Sequence, residues 1–295
     1  MMFSRNLLRM SRLIIACIVG LWLAAKFLVY ADKTWLHERI RQIYGEHVAK
    51  EDWSRLPNLP MGMDYSWMDS GESMLRIGHA LGYSGTALGN ELPAVLEGRK
   101  HGMSVLEVDL WLAQDGSLRC FHGPGDPGPL LDRTCTFGRL LRATQDSGEY
   151  LVLDIKTDFD QAAAAVAAVL LDMPTQRRRV IFQLYRPSDV EAFVEMPNAT
   201  DFAGPIVTAY VARSSLDQVL EGSQRAGFRA FTFPLKRSSA LSIEPFREVR
   251  LFVHPVHTCA DLELAQKSRY AGIYTLADLT CRGSLLRPTA VNDEQ

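Results

Sequence analysis

Val105-Leu106-Glu107-Val108-Asp109-Leu110-Trp111 and Leu151-Val152-Leu153-Asp154-Ile155-Lys156 are short apolar runs broken by charges at alternate places. Successive side chains of a β-strand point to opposite faces, so Leu106, Val108 and Leu110 share one face and Glu107 and Asp109 the other. In the second run Leu151, Leu153 and Ile155 face one way, Asp154 and Lys156 the other. Taken singly, each run also fits a half-buried antiparallel strand with one wet face. The surroundings decide against that. Strand candidates at 75–79, 105–111, 151–156, 180–185, 206–211, 230–234, 251–256 and 272–275 alternate with helical stretches, an order that implies a parallel sheet with crossover helices.

Eight parallel strands are the count of a closed barrel. Helices cover its outside, so outward positions must be apolar, whereas inward positions near the C-terminal rim open to substrate and can be polar. The expected fold is therefore an α/β, (β/α)8 TIM barrel with Glu107, Asp109, Asp154 and Lys156 inside its mouth. His79 ends the strand before them. The turn signal Asp115-Gly116 extends the second strand into a hairpin that ends at His122. Helix starts are read at Asn90, ahead of a helix stopped by Gly102, and at Asp160, ahead of an alanine-rich helix. Two more are the capping box of Ser215 with Gln218 and the pair Thr258 with Asp261.

The 295-residue chain is 47% hydrophobic, ample for a large core, and its formal charge of −2 lacks the basic footprint of a nucleic-acid binder. Its five cysteines, Cys17, Cys120, Cys135, Cys259 and Cys281, form no Cys-x-x-Cys pair, which argues against a zinc cage or a thioredoxin-type motif. Arg5, Arg9 and Arg12 precede an apolar stretch, 13–31, interrupted by Lys26. At about 19 residues it can span a bilayer as a helix with Lys26 snorkelling to an interface. Its uninterrupted part has the length of a signal-peptide core. The favoured reading is an N-terminal transmembrane helix with the following organisation: 1–31, basic tail and anchor or signal segment; 32–71, juxtamembrane helix and linker; 72–285, barrel; 286–295, polar tail. The barrel is then expected outside the membrane-bound cytoplasm, periplasmic or extracellular, where Cys120 with Cys135, or Cys259 with Cys281, can pair.

Three carboxylates converging in one mouth repel one another unless their pKa values rise or a cation neutralises them. Glu107, Asp109 and Asp154 make an oxygen-rich site suited to Mg2+ or Ca2+. With Lys156 the formal charges then balance, so an anionic phosphodiester can enter. Two imidazoles can supply a proton acceptor and a proton donor near neutral pH.

The ordered set His79-Ala80-Leu81-Gly82, Asn90-Glu91-Leu92, Glu107-Val108-Asp109, Asp115-Gly116, His122, Leu131-Asp132-Arg133-Thr134, Asp154-Ile155-Lys156, His257-Thr258 and Gly272-Ile273-Tyr274-Thr275 resembles the glycerophosphodiester phosphodiesterase family over roughly 75–280. The resemblance implies a TIM barrel that cleaves phosphodiesters of glycerol or related lipid headgroups with Mg2+ or Ca2+. It implies His79 and His122 as the acid-base pair, Glu107, Asp109 and Asp154 as metal ligands, and Lys156 as a phosphate contact. Asn90 reads as a cap and, because the family's asparagine at a similar place lies near the site, also as a substrate contact. Arg133 either touches phosphate or braces its loop. His257, just past a late strand, is a further rim position.

The chain departs from the family pattern at Ala80, where arginine is usual, at Asp154, where glutamate is common, and at Gly123, where aspartate follows the second histidine. These departures place it on a divergent branch bordering the phosphatidylinositol-type phospholipases and sphingomyelinase D. The expected activity is a metal-dependent hydrolase of glycerophosphodiesters or lysophospholipid-like substrates, with a cyclic phosphate as a candidate intermediate. Two rivals are a lyase that stops at the cyclic phosphate and a catalytically inactive, membrane-tethered phosphoester-binding module.

Overall fold

A computed structural model describes residues 51–69, 74–83, 89–123, 135–209, 215–235 and 249–281. The apolar span 13–31, Arg133, the Gly/Pro-rich stretch 124–129 and the tail 286–295 lie outside the described residues. Among the described residues, no helix is long and apolar enough to cross a membrane.

Among the described residues, nine strands form the sheet: β1 (Leu75–Gly78), β2 (Val105–Leu112), β3 (Leu118–Cys120), β4 (Tyr150–Ile155), β5 (Val180–Leu184), β6 (Ala203–Thr208), β7 (Ala230–Pro234), β8 (Arg250–Val256) and β9 (Gly272–Thr275). Eight are parallel in the cyclic order β1-β9-β8-β7-β6-β5-β4-β2, and pairing of β1 with β2 closes the barrel. The ninth, β3, pairs antiparallel with the end of β2 and forms the expected hairpin. The helices are α1 (Leu92–Lys100), α2 (Phe137–Thr144), α3 (Phe159–Val169), α4 (Pro174–Arg177), α5 (Pro187–Glu195), α6 (Leu216–Arg225) and α7 (Cys259–Lys267).

Side-chain parity follows from this layering. Phe182 on β5 packs against Phe159 of α3, Phe193 of α5 and Phe202, with ring centroids 5.9, 5.6 and 5.2 Å away. Its neighbour Gln183 must therefore point into the barrel. The same alternation buries Leu106, Val108 and Leu110 completely and sends Glu107 and Asp109 inward.

Two helix starts agree with the sequence reading and two do not. Ser215 and Gln218 form the capping box of α6, and the Thr258 hydroxyl accepts the Asp261 N–H at the start of α7. By contrast, α3 is capped by Asp158, two residues before Asp160, and α1 has Glu91 at its cap position. Asn90 is left-handed, with φ 59°, and its side chain is committed elsewhere.

Of the stretch expected as juxtamembrane helix and linker, residues 51–69 pack onto the barrel. Trp53, Leu59, Tyr65 and Trp67 are buried. Leu59 N–H donates to Ala226 O at 2.8 Å, and Asp64 bridges to Ala203 at the first residue of β6. Trp67 closes the N-terminal end: its Nε1 donates to Gly204 O at 3.1 Å and its ring stacks on Phe252 at 5.5 Å. Gly204 leaves room for the neighbouring Tyr65, because a Cβ there would stand 2.6 Å from the Tyr65 ring.

Candidate active site

The candidate site residues gather at the opposite, C-terminal end. Asp109 on β2 and Asp154 on β4 are register partners, so their carboxylates stand side by side, and Glu107 points the same way from two residues deeper. All three are buried, with relative exposures of 1% for Glu107, 4% for Asp109 and 7% for Asp154. They border a cavity of about 740 Å3 that His79, His122, Lys156, Tyr185 and Arg186 also line. That volume lies within the range of roughly 300–1,000 Å3 usual for small-molecule sites. His122, just past β3, is exposed at the rim.

Each carboxylate has its own holder. Glu107 Oε2 accepts the Ala80 N–H at 2.7 Å. That N–H is aimed by an unusual turn in which Ala80, Leu81 and Gly82 have φ of 48, 67 and 76°. A left-handed alanine or leucine costs about 1–3 kcal/mol, a strain typical of functional sites. Asp109 is clamped by the Asn90 amide, whose Nδ2 donates to Oδ2 at 2.7 Å while its Oδ1 accepts the Asp109 N–H at 3.0 Å. Asn90, expected as a cap and substrate contact, thus orients a carboxylate. Asp154 Oδ2 accepts the Tyr185 hydroxyl at 2.7 Å. Gln183 Nε2 donates to that hydroxyl at 2.6 Å, and Tyr274 donates to Gln183 Oε1 at 3.3 Å. Three donors in series therefore end on one carboxylate, an arrangement in which each bond polarises the next.

Lys156, expected on phosphate, bridges Asp154 Oδ2 at 2.6 Å and Asp109 Oδ1 at 2.9 Å. Burial disfavours its ammonium, but Asp154, Asp109 and Glu107 outweigh burial and raise its pKa. One cation does not balance three anions. Burial, followed by the charges of Asp109 and Asp154, pushes the Glu107 carboxyl well above its ordinary range. Burial also raises Asp154, against the pull of Lys156.

The three carboxylates each offer an oxygen within 4.8 Å of the others. Glu107 Oε1 and Asp154 Oδ1 are buried without a hydrogen-bond partner. Unsatisfied buried acceptors are costly, and a hard divalent cation would satisfy both and relieve the repulsion. The donor set fits such an ion.

Around the histidines, His79 Nδ1 lies 3.2 Å from His257 Nε2. Burial drives the His79 pKa down to about 4 despite the Asp109 charge, with His257, Lys156 and His122 adding to the fall. His254 lines the cavity, and its Nδ1 meets the Thr232 hydroxyl at 3.1 Å. Both anticipated cysteine pairings are present: Cys120–Cys135 ties the chain two residues before His122 to the start of the segment that leads into α2, and Cys259–Cys281 anchors the turn after His257.

Sequence reasoning did not single out Tyr185, Gln183 or Arg186, and took Tyr274 only as part of the motif Gly272-Ile273-Tyr274-Thr275. Gln183 and Tyr185 interrupt the apolar run 180–185 with the same period of two that exposed the acids, so that signal was available.

No protein-family model and no curated protein matches the sequence. Solved structures match in fold. A glycerophosphodiester phosphodiesterase from Parabacteroides distasonis superposes with a TM-score of 0.57 at 14% identity, over 69% of this chain and 93% of its own. One from Thermotoga maritima gives 0.51 at 20% identity, over 68% and 94%. A phosphodiesterase from Oleispira antarctica, solved in complex with the product sn-glycerol-3-phosphate, gives 0.53 at 14% identity, over 68% and 92%. The barrel thus has the glycerophosphodiester phosphodiesterase fold.

Proposed function

We propose that the protein is a metal-dependent phosphodiester hydrolase acting on glycerophosphodiesters or lysophospholipid-like substrates. The observation that carries this reading is three inward carboxylates, two with unpaired oxygens, on one cavity with His79 and His122. The likeness of fold to phosphodiesterases, one with sn-glycerol-3-phosphate bound, supports the substrate class.

Glu107, Asp109 and Asp154 would hold Mg2+ or Ca2+. When bound, such an ion acts as a Lewis acid that stabilises charge on phosphoryl oxygens. Burial keeps His79 neutral, the form that accepts a proton. His79 Nε2 takes the proton of the attacking hydroxyl as that oxygen bonds to phosphorus. His122 gives a proton to the alcohol oxygen as its bond to phosphorus breaks. When the attacking hydroxyl is the substrate's own neighbouring one, a cyclic phosphate forms, and water opens it with the two histidines exchanging roles. Lys156 and Arg186 supply positive charge along the lining. Two disulfides are what an oxidising compartment favours. Together with the apolar span 13–31, they support a membrane-anchored protein whose barrel lies outside the cytoplasm.

The test is turnover of glycerophosphocholine and lysophosphatidylcholine by the full chain, with products read by phosphorus NMR. Hydrolysis should stop with EDTA, return with Mg2+ or Ca2+, and be absent in His79→Ala. Full activity in His79→Ala, or in metal-depleted protein, overturns the reading. A cyclic phosphate as the final product replaces hydrolase with lyase.

A further inference from the structure

His257 is absent from the lining of the cavity and stands behind His79. It follows β8 directly and precedes the cap of α7, which places it on a rim loop with three tethers. The Thr258 hydroxyl accepts the Asp261 N–H at 3.2 Å and donates to Asp261 Oδ2 at 2.7 Å. The Cys259–Cys281 disulfide holds the first residue of α7. Tyr83 is edge-on to the His257 ring at 6.2 Å, and its own carbonyl accepts the Ala277 N–H at 3.2 Å. A half-buried imidazole tethered in this way can hold another imidazole in place.

The contact runs from His257 Nε2 to His79 Nδ1 over 3.2 Å, with ring centroids 5.2 Å apart and planes at 36°. Only one hydrogen fits between two ring nitrogens at that distance. With it on His79 Nδ1, the neutral His79 ring has a bare Nε2 and is a base. With it on His257 Nε2, His79 Nδ1 accepts, and the neutral ring must carry its hydrogen on Nε2 as an acid. Either way, the protonation state of the nitrogen facing the cavity is set by its partner's hydrogen bond. Catalytic histidines are generally oriented by such a third group.

We propose that His257 is a positioning residue that fixes the ring orientation and tautomer of His79 through the Nε2–Nδ1 contact. The proposal rests on the reading of His79 as an acid-base group. It adds a member to the site that lies 178 residues away in the chain.

The full chain, labelled with nitrogen-15, is compared as wild type, His257→Phe and His257→Gln. Long-range proton–nitrogen correlation reports which nitrogen of His79 bears the hydrogen, and hydrolysis of glycerophosphocholine with Mg2+ gives kcat and KM. Wild type should show one tautomer and His257→Phe a mixture. In His257→Phe, kcat should fall on the order of 10- to 100-fold, part of what a general acid-base group contributes, with KM unchanged. His257→Gln, which keeps a hydrogen-bonding group, should recover most of kcat. An unchanged tautomer in His257→Phe, an unchanged kcat, or a loss confined to KM overturns the proposal. Should His257→Phe fail to fold, His257→Ala with and without free imidazole makes the same comparison: restored kcat upholds positioning and no restoration overturns it. A wild type inactive on every phosphodiester refutes the functional reading alone, because the tautomer comparison still decides the pairing.

Discussion

The two ends of the barrel are built on opposite terms. At the N-terminal floor, Tyr65 and Trp67 bury their rings and place their polar atoms on Pro205 O and Gly204 O. At the C-terminal mouth, carboxylates are buried beside one another, two of their oxygens have no partner, and Ala80 and Leu81 hold left-handed backbone. The floor lowers the free energy of the fold and the mouth raises it. Such a division is expected of a barrel whose chemistry sits at the ends of its strands, since a site built for a ligand is stressed until the ligand arrives.

The largest effect on stability should come from the floor. Trp67→Ala removes a ring that is 2% exposed, a stack on Phe252 and a hydrogen bond, and truncations of this kind cost about 3–5 kcal/mol. Urea unfolding should show that loss, while kcat measured well below the unfolding transition stays at the wild-type value. A variant that loses kcat while still folded would break the division between the two ends.

The mouth should respond the other way. Glu107→Gln removes one of three mutually repelling buried carboxylates, whose burial and repulsion push the Glu107 pKa up, so the metal-free protein should gain stability, on the order of 1 kcal/mol as for other single stabilising substitutions. If the proposed site holds Mg2+ or Ca2+, the same variant should lose both turnover and the rise in melting temperature expected of the wild type on adding the ion, since a ligand that binds only the folded state stabilises it. A destabilised metal-free variant would show that Glu107 is held by the fold and not strained within it.

How much of this was open to sequence reading depends on whether the cause was local. The period of two in β2 and β4 divides each strand into an apolar and an acidic face, and the alternation of strands with helical stretches turns the acidic face inward, so the inward acids and the barrel they imply were legible. The start of β6 at Ala203 was not, because Gly204-Pro205 reads as a breaker; there, pairing with neighbours overrides local preference. The left-handed Ala80 and Leu81 leave no trace in residue type, since neither favours that conformation. Trp53 and Trp67 sit in an irregular stretch with no periodicity, and only contacts with distant parts of the barrel bury them. Asn90 carries a cap's chemistry, but a carboxylate 19 positions on took its amide.

The last expected effect is a pH dependence that separates neutral strain at the mouth from charged strain. Burial drives His254 from its ordinary 6.5 down to about 3, with His79 and Lys156 adding to the fall. Between those values the unfolded chain binds a proton that the folded protein refuses, so this group's contribution is complete above about pH 6.5 and is lost as the pH falls towards 3. Glu107 and Asp154 act with the opposite sign, because their raised pKa values let the folded protein take up protons on acidification before the unfolded chain does. Wild-type stability alone therefore mixes the two. His254→Gln retains a partner for the Thr232 hydroxyl but cannot charge, so the wild type should lose more stability than the variant between about pH 7 and about pH 5 in metal-free buffer. Equal losses would mean that His254 charges within the fold, and that the mouth's strain belongs to its carboxylates alone.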